Sequence, residues 1–443
     1  MAASGLCGRR HESFSGLLYS HSIKLIKVME IDHFVKAIIA NPHDDDARLV
    51  FADCLEENGD PRAEMIRLQF QLAEMSRSDP KRRKLRAREL ELIRKHGTFG
   101  EVPAVAKVLS TRGGFIDLIE ITSPRFLKHQ EEIFSSAPIR GVNFSGRSKR
   151  ILKLLDSPYL SQLRTIQLKN NNEDSEKLLT ILRSEKFADL QDLDIRGEWV
   201  TEEAIATISH SPTYSKLRRF RFDSYFGGTV KAIQALADSP YVTQLESLVA
   251  PGVDNEACRL IATSSNFANL ENLNVSGELS TDGIRDFLSK AGCEGLVSLR
   301  LSNNRYYYGR PGPAPKGTPF NIDSSFSKLR NLDIGCGFGS SIVEGILRNF
   351  PELETIRLTE NMIDDAGAIE LAKSDVFKRL HKLYLTNNQI TQVGAIALGE
   401  ARQENKAIKL YLDGNPITQG QAKKLRERFG KSFLSRYHSP NRY

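Results

Sequence analysis

Two stretches of the chain are close copies of each other. Residues 353–371 read LETIRLTENMIDDAGAIEL, and residues 380–398 read LHKLYLTNNQITQVGAIAL. Each copy begins with apolar residues in the spacing L-x-x-L-x-L and continues to an asparagine. It then places apolar residues at the spacing of one helix face. The pattern predicts a short strand followed by a helix in each copy.

The apolar triplet recurs along most of the chain. Ten copies lie between residues 163 and 412, and their first residues are 24–33 positions apart. Such a unit cannot bury its apolar side alone, but stacked copies share one core. The largest step indicates an insertion after Asn304. Two weaker copies begin at Ile116 and Ile139, and the ten clear copies begin at Leu163, Leu190, Leu217, Leu245, Leu270, Leu296, Leu329, Leu353, Leu380 and Ala407.

Two further columns support this register. One is an asparagine eight residues after the first Leu, predicted to bond the backbone of neighbouring turns as a ladder. The other is an aromatic residue just before each strand, predicted to fill the core. The asparagines are Asn171, Asn304, Asn361, Asn388 and Asn415. The aromatic residues are Tyr159, Phe187, Tyr214, Tyr241, Phe267, Phe326, Phe350 and Phe377.

The repeat resembles the leucine-rich repeat, and its length of roughly 27 residues is similar to that of the ribonuclease-inhibitor-like class. This resemblance implies an α/β solenoid shaped as a horseshoe, with a parallel sheet on the concave side and helices on the convex side. It implies a binding scaffold without naming a partner, because this fold serves many functions.

The N-terminal region carries a different pattern. Residues 41–64 read NPHDDDARLVFADCLEENGDPRAE and lie within three predicted short helices. This motif resembles the bacterial, planctomycete-type repeat-companion domain, which stands in front of repeat arrays. Cys54 departs from that family, where Trp is usual. The resemblance implies a small all-α domain and no activity.

We expect five segments along the chain. Residues 1–29 are disordered or precede the true start at Met29, and 30–76 form the helical repeat-companion domain. Residues 77–114 form a basic helical linker that caps the repeats, 115–419 form the solenoid, and 420–443 form a C-terminal cap and tail.

Composition favours a protein without disulfides, metal or cofactor. The five cysteines are scattered, without a CxxC pair, and the net charge is only +7. Neither a membrane-spanning run nor a secretion signal is present, so we expect a cytoplasmic protein, most simply a monomer.

Acidic residues between Asp44 and Asp60 are predicted to cap helices, with a metal site as the alternative. No catalytic motif is present, so we expect no enzymatic activity.

The concave face provides the candidate binding residues. Asp192 and Asp194 are predicted to lie beside Arg219 and Arg221 on the next strand, either as ion pairs or as a binding site. A second group, predicted to be exposed with few acids to neutralise it, comprises Arg357, Lys382, Tyr384, Lys409 and Tyr411. Tyrosine and arginine often anchor interfaces. The remaining candidates are Arg300 and the loop residues Tyr306, Tyr307 and Tyr308.

Two functions follow from these residues. The first is a protein-interaction scaffold or adaptor that binds an unidentified protein partner through the concave face or the tyrosine loop. The alternative is binding of nucleic acid or another acidic partner through the linker's basic residues 81–95 together with Arg219, Arg221 and Arg300.

Overall fold

The computed structural model describes residues 29–75, 79, 81–146, 151–169, 174–197, 200–223, 229–290, 292–303, 326–335, 337–430 and 433. The chain forms two compact units, Met1–Phe144 and Ser145–Tyr443. Several sequence predictions fall outside the described residues: the nature of residues 1–28, the asparagines Asn171 and Asn304, and the tyrosines Tyr306, Tyr307 and Tyr308.

The first unit begins with helices, as predicted, and continues into strands. Its elements are helix α1 at 29–40, α2 Asp45–Glu57, α3 Arg62–Glu74, α4 Arg82–His96, β1 Lys107–Arg112, β2 Phe115–Ile121, α5 Ser123–Ser136 and β3 Gly141–Phe144. Strand β1 pairs antiparallel with β2, and β2 pairs parallel with β3. Three phenylalanines join the helices to the strands. The Phe51 and Phe99 ring centroids are 4.9 Å apart, and those of Phe99 and Phe115 are 5.3 Å apart.

The second unit alternates strands with helical segments. Its strands are β4 Thr165–Lys169, β5 Asp192–Arg196, β6 Arg219–Asp223, β7 Ser247–Asp254, β8 Asn272–Glu278, β9 Ser298–Asn303, β10 Asn331–Gly335, β11 Thr355–Arg357, β12 Lys382–Tyr384 and β13 Lys409–Tyr411. Its α-helices are α6 Ser175–Leu182, α7 Glu202–Ser209, α8 Thr229–Ala237, α9 Asn255–Thr263, α10 Thr281–Lys290, α11 Ser341–Asn349, α12 Asp365–Lys373, α13 Asp375–Arg379, α14 Gln392–Glu404 and α15 Gln419–Phe429. Short 3-10 helices lie at Ile151–Asp156, Leu160–Gln162, Glu185–Phe187, Pro212–Tyr214 and Ser265–Phe267.

The ten strands of the second unit form a parallel sheet in chain order, which confirms the predicted repeat register. The second residue of each apolar triplet is aligned with the same position on the next strand, and each of these side chains is at most 2% exposed. The aligned column consists of Ile166, Leu193, Phe220, Leu248, Leu273, Leu299, Leu332, Ile356, Leu383 and Leu410. A parallel sheet needs crossover connections, and helical segments supply them wherever the connection is described.

The predicted asparagine ladder is present where it is described. Asn361 Nδ2 donates to the Ile334 carbonyl at 2.6 Å, and Asn388 Nδ2 donates to the Leu358 carbonyl at 2.8 Å. Asn415 repeats the contact one turn later. Asn361 is fully buried and Asn388 is 6% exposed, so these amides satisfy backbone groups that water does not reach. The ladder therefore joins each of these three turns to the preceding one.

The predicted aromatic column is correct at six positions and wrong at two. Tyr159 is half-buried and Tyr241 is 36% exposed, so neither fills the core. Both stand four residues before the first Leu, whereas the other six stand three residues before it. At the position three residues before, Leu160 and Val242 are buried instead. Spacing therefore determines which side chain is buried, because of these two positions only the one three residues before the first Leu points into the core.

Tyr214 provides a test of this column. Its side chain is fully buried, and its hydroxyl donates to the Leu182 carbonyl at 2.8 Å. We expect Tyr214→Phe to lower the free energy of unfolding by about 1 kcal/mol, since that carbonyl loses its partner. Urea denaturation measures the change. The same substitution at exposed Tyr241 is the control and should change little; equal losses at both positions would contradict the assignment.

Candidate functional site

Alternation along the strands places three rows of side chains opposite the buried column. We call these rows the polar strand face. The first row is Thr165, Asp192, Arg219, Ser247, Asn272, Ser298, Asn331, Thr355, Lys382 and Lys409. The middle row is Gln167, Asp194, Arg221, Val249, Asn274, Arg300, Asp333, Arg357, Tyr384 and Tyr411. The third row is Lys169, Arg196, Asp223, Pro251, Ser276, Ser302, Gly335, Thr359, Thr386 and Asp413.

Ion pairs organise the first three strands of this face. Arg219 Nε lies 2.9 Å from Asp192 Oδ2, as the predicted pairing required. The other predicted pair, Asp194 with Arg221, is not formed. Asp194 is in register with Arg221, but its carboxylate accepts two hydrogen bonds from Arg196, at 2.7 and 2.8 Å. The Asp194 carboxylate therefore pairs with Arg196 on its own strand and with Lys169 on β4, and not with Arg221.

Three cations at this end of the face repel one another, and we call Lys169, Arg196 and Arg221 the basic trio. Burial and the charge of Arg196 lower the pKa of Arg221. Burial also lowers the pKa of Lys169, although Asp194 lies 3.6 Å from its Nζ. Arg221 makes no hydrogen bond or ion pair with any residue that the structure describes. An additional anion beside Arg221 would reduce the repulsion.

Strands β7 to β9 separate two charged regions. Apart from Arg300, their contribution to the face is uncharged, and most of it is serine or asparagine. We call these residues the neutral centre: Ser247, Val249, Pro251, Asn272, Asn274, Ser276, Ser298 and Ser302. Their side chains offer hydrogen-bond donors and acceptors without charge.

The middle row ends in a continuous stack on β9 to β13, which we call the C-terminal stack. Arg300 Nε and Arg357 Nε lie 3.4 and 3.2 Å from the same oxygen, Asp333 Oδ2. The Arg357 guanidinium lies 3.9 Å from the centre of the Tyr384 ring. That ring is parallel to Tyr411 within 4°, with centroids 4.3 Å apart. Arginine over an aromatic face and two stacked rings are both attractive arrangements.

The C-terminal stack corrects two predictions about exposure and charge. Tyr384 was expected to be exposed, but it is 7% exposed because Arg357 covers one side of its ring and Tyr411 the other. Arg357 was expected to lack acids nearby, but Asp333 pairs with it. Sequence reasoning missed the importance of Asp333, although its place between two arginines in the middle row was a readable signal.

Lysines 382 and 409 are different from the stack beside them. Both are exposed, and their strands place them side by side in the first row. Neither makes a hydrogen bond or ion pair with another described residue. Together with Arg221, they are the cations of the face that lack a carboxylate partner within the described part of the chain.

The arginines of α4 are largely used within the first unit. Arg82 donates to the Met75 carbonyl at 3.0 Å, and Arg88 pairs with Glu64 at 2.7 Å. Arg86 pairs with Glu89 on the same helix. The Arg82 and Arg88 contacts attach α4 to α3 and the residue that follows it, and all three pairings reduce the positive charge that the basic linker was expected to offer. Exposed cations that remain on this helix are Arg83, Lys84, Arg94 and Lys95.

Three of the acidic residues near α2 contact protein groups. Asp44 caps α2 by accepting from the Ala47 amide at 2.8 Å. Asp45 contacts Arg112 at 2.5 Å, and Asp60 contacts Arg62 at 2.6 Å. Burial raises the pKa of Asp45, but Arg112, Arg140 and Arg48 together hold it below its ordinary value. Among the described residues, no group of three or more His, Cys, Asp or Glu is arranged to hold a metal ion.

Comparison with known proteins finds solved structures of low similarity. The chain matches no family model and no curated protein. The crystal structure of an internalin from Listeria monocytogenes is 15% identical, with a TM-score of 0.38, and the match covers 69% of this chain and 82% of that one. A Bacteroides fragilis protein structure is 14% identical, with a TM-score of 0.32, and the match covers 71% and 82%.

The strand register and the asparagine ladder decide the architecture. The second unit is a leucine-rich-repeat solenoid. Each repeat contributes one strand to the parallel sheet, and in the described repeats a helical segment returns the chain to the next strand. None of the described helices is long and apolar enough to cross a lipid bilayer.

Proposed function

We propose that this protein is a non-catalytic adaptor that binds another protein through the polar strand face of its leucine-rich repeats. The C-terminal stack is the observation that carries this proposal. Arg357 and Tyr411 hold Tyr384 in place, so a partner would meet an ordered surface. A surface that is ordered before binding loses little side-chain entropy on association.

The composition of the stack also favours a protein partner. Tyrosine and arginine are enriched among residues that dominate binding energy at protein interfaces. Exposed Lys382 and Lys409 lie next to the stack and provide charged contacts at its border. The tyrosine loop 306–308 remains a second predicted contact site.

The same proposal places the protein in the cytoplasm as a monomer. Cys258 and Cys293 are free thiols, as expected in a reducing compartment. The first unit would act as a companion domain to the repeats, as its resemblance to the repeat-companion domain implies.

Nucleic-acid binding is the alternative, and the pairing of the α4 arginines argues against it. Arg82 and Arg88 already contact groups of α3 and the residue that follows it, so they are less available to phosphates. Binding to nucleic acid would weaken steeply as salt is raised. A salt titration of any complex that is found would therefore distinguish the two functions.

The proposal is tested by reversing charge beside the stack. We expect Lys382→Glu with Lys409→Glu to reduce capture of the partner from a native extract about tenfold, because two exposed cations become repulsive. Melting temperature should change little, since surface substitutions typically alter stability by under about 0.5 kcal/mol. Quantitative mass spectrometry of the captured proteins is the measurement.

The matched control reverses two exposed lysines on α15, Lys423→Glu with Lys424→Glu. It makes the same change in net charge away from the strands. A protein captured by the wild type and by this control, but depleted with the first variant, supports the proposal. Equal capture by all three would refute a role for this end of the face.

A further inference from the structure

The polar strand face has an excess of positive charge, and its unpaired cations lie in two places. It carries eight basic and five acidic side chains. Arg221 makes no hydrogen bond or ion pair at one end, although Asp194 and Asp223 attract it from a longer distance. Lys382 and Lys409 make none at the other end, within the described residues. The other cations have carboxylates within 4 Å, including Asp192, Asp194 and Asp333. One acid, Asp223, lies in register with Arg196 in the third row.

We propose that the partner of this face is an extended acidic polypeptide segment that crosses the strands, with acidic residues at both ends and uncharged residues between them. This proposal rests on the proposed function and adds the chemistry of the ligand. One acidic end contacts Arg221 within the basic trio. The other contacts Lys382 and Lys409 beside the C-terminal stack.

The spacing of the two cationic sites sets the length of the segment. Arg221 is on β6 and Lys382 is on β12, which are six strand positions apart. At about 4.8 Å per position the separation is roughly 29 Å. An extended chain advances about 3.3 Å per residue, so about nine residues span the distance. The two acidic ends are therefore about nine residues apart.

The neutral centre fits the middle of such a segment. An extended backbone that lies across the strands brings its own N–H and C=O groups, which need hydrogen-bond partners when water leaves. Ser247, Asn274 and Ser298 belong to the rows that such a backbone would cross. Acidic residues in this part of the segment would meet only Arg300, which Asp333 already pairs.

The neutral centre also argues against a nucleic acid as the partner of this face. A nucleic-acid strand carries a phosphate at every nucleotide, so its charges are closely and evenly spaced. Between Arg221 and Arg300 the middle row offers Val249 and Asn274 across roughly 14 Å, given about 4.8 Å per strand position. Phosphates over this stretch would lose water without meeting a cation.

The test compares two labelled peptides of the same composition with the full-length protein. One has about twelve residues, with an aspartate pair at each end and about eight serine and glycine residues between them. Its isomer carries the four aspartates together in the middle. At low salt we expect the first peptide to bind about tenfold more tightly in fluorescence anisotropy, because only it reaches both cationic sites. Equal affinities would overturn the inference.

Site variants show where the peptide binds. We expect Arg221→Gln, and separately Lys382→Gln with Lys409→Gln, each to weaken the first peptide about fivefold and to bring its affinity close to that of the isomer. Lys423→Gln with Lys424→Gln on α15 should leave the affinity unchanged. An identical response of all three variants would show that only net charge matters, and would overturn the inference.

An oligothymidylate of equal charge serves as competitor. We expect it to displace the first peptide less effectively than the unlabelled peptide does; stronger displacement would favour nucleic acid and overturn the inference. Failure of the inference is distinguishable from failure of the proposed function. If the peptides bind alike but Lys382→Glu with Lys409→Glu still reduces partner capture, only the acidic-segment inference fails.

Discussion

Replacing Leu353 with alanine should lower the free energy of unfolding of the second unit by about 2–5 kcal/mol, the usual cost of truncating a buried leucine. Leu353 is fully buried and begins the repeat that contains β11. The equivalent leucines on both neighbouring repeats, Leu329 and Leu380, are at most 1% exposed, so they have little freedom to fill the cavity.

The loss should also be local at first, because each repeat of a solenoid contacts only its neighbours. Urea denaturation measures the total loss, and amide hydrogen exchange identifies the repeats that open first. The matched control is Leu152→Ala, the same substitution at a leucine that is 37% exposed. A loss below about 1 kcal/mol for Leu353→Ala would contradict the repeat register.

Asn388→Ala should destabilise the second unit by about 2–4 kcal/mol, although it removes few atoms. The Asn388 amide donates to the Leu358 carbonyl at 2.8 Å and accepts from the Asn361 and Ile363 amides at 3.0 Å each. Alanine leaves these backbone groups buried without partners, and each such group costs about 1–3 kcal/mol. Water that partly enters the site would bond some of these backbone groups, so the total loss of stability should stay near the sum of the smallest costs per group.

The adjacent asparagine provides the control for this prediction. Asn387 is exposed and has a φ of 55°, a left-handed conformation that glycine adopts without strain. Asn387→Gly should therefore change the free energy of unfolding by less than about 0.5 kcal/mol. Similar losses for Asn387→Gly and Asn388→Ala in parallel denaturation curves would mean that the ladder does not stabilise the turns.

The repeats could be predicted from sequence because burial in them follows spacing. Leu353 and its equivalents recur at regular intervals, and a residue on the apolar side of a strand has one orientation available. The same reasoning failed at Tyr159 and Tyr241, where residue type was followed instead of position. Leu160 and Val242 occupy the buried position there, since any apolar side chain of suitable size can fill it.

The residues of the polar strand face could be predicted from the sequence, but the contacts among their side chains could not. Alternation assigns Tyr384 to the solvent side of its strand without showing that Arg357 and Tyr411 cover its ring. Likewise, Asp194 was expected to pair with Arg221 across the strands, whereas the longer Arg196 side chain reaches it along the same strand. Such choices depend on rotamers, which a repeat pattern does not encode.

The two buried cysteines, Cys258 and Cys293, allow the opening of individual repeats in the second unit to be measured. Cys258 is fully buried on α9. Cys293 is 1% exposed and lies three residues before Leu296, at the position that an aromatic residue fills in six other repeats. Burial raises the pKa of Cys258 to about 12 and that of Cys293 to about 11. Thiol reagents attack the thiolate, so both sulfurs should be unreactive while their repeats stay closed.

The alkylation rate of each thiol would therefore measure how often that part of the solenoid opens. With Cys7, Cys54 and Cys336 changed to serine, mass spectrometry could follow Cys258 and Cys293 separately in the same molecule. Similar rates would show that the two repeats open as one cooperative segment, and different rates would place a boundary of cooperativity between them.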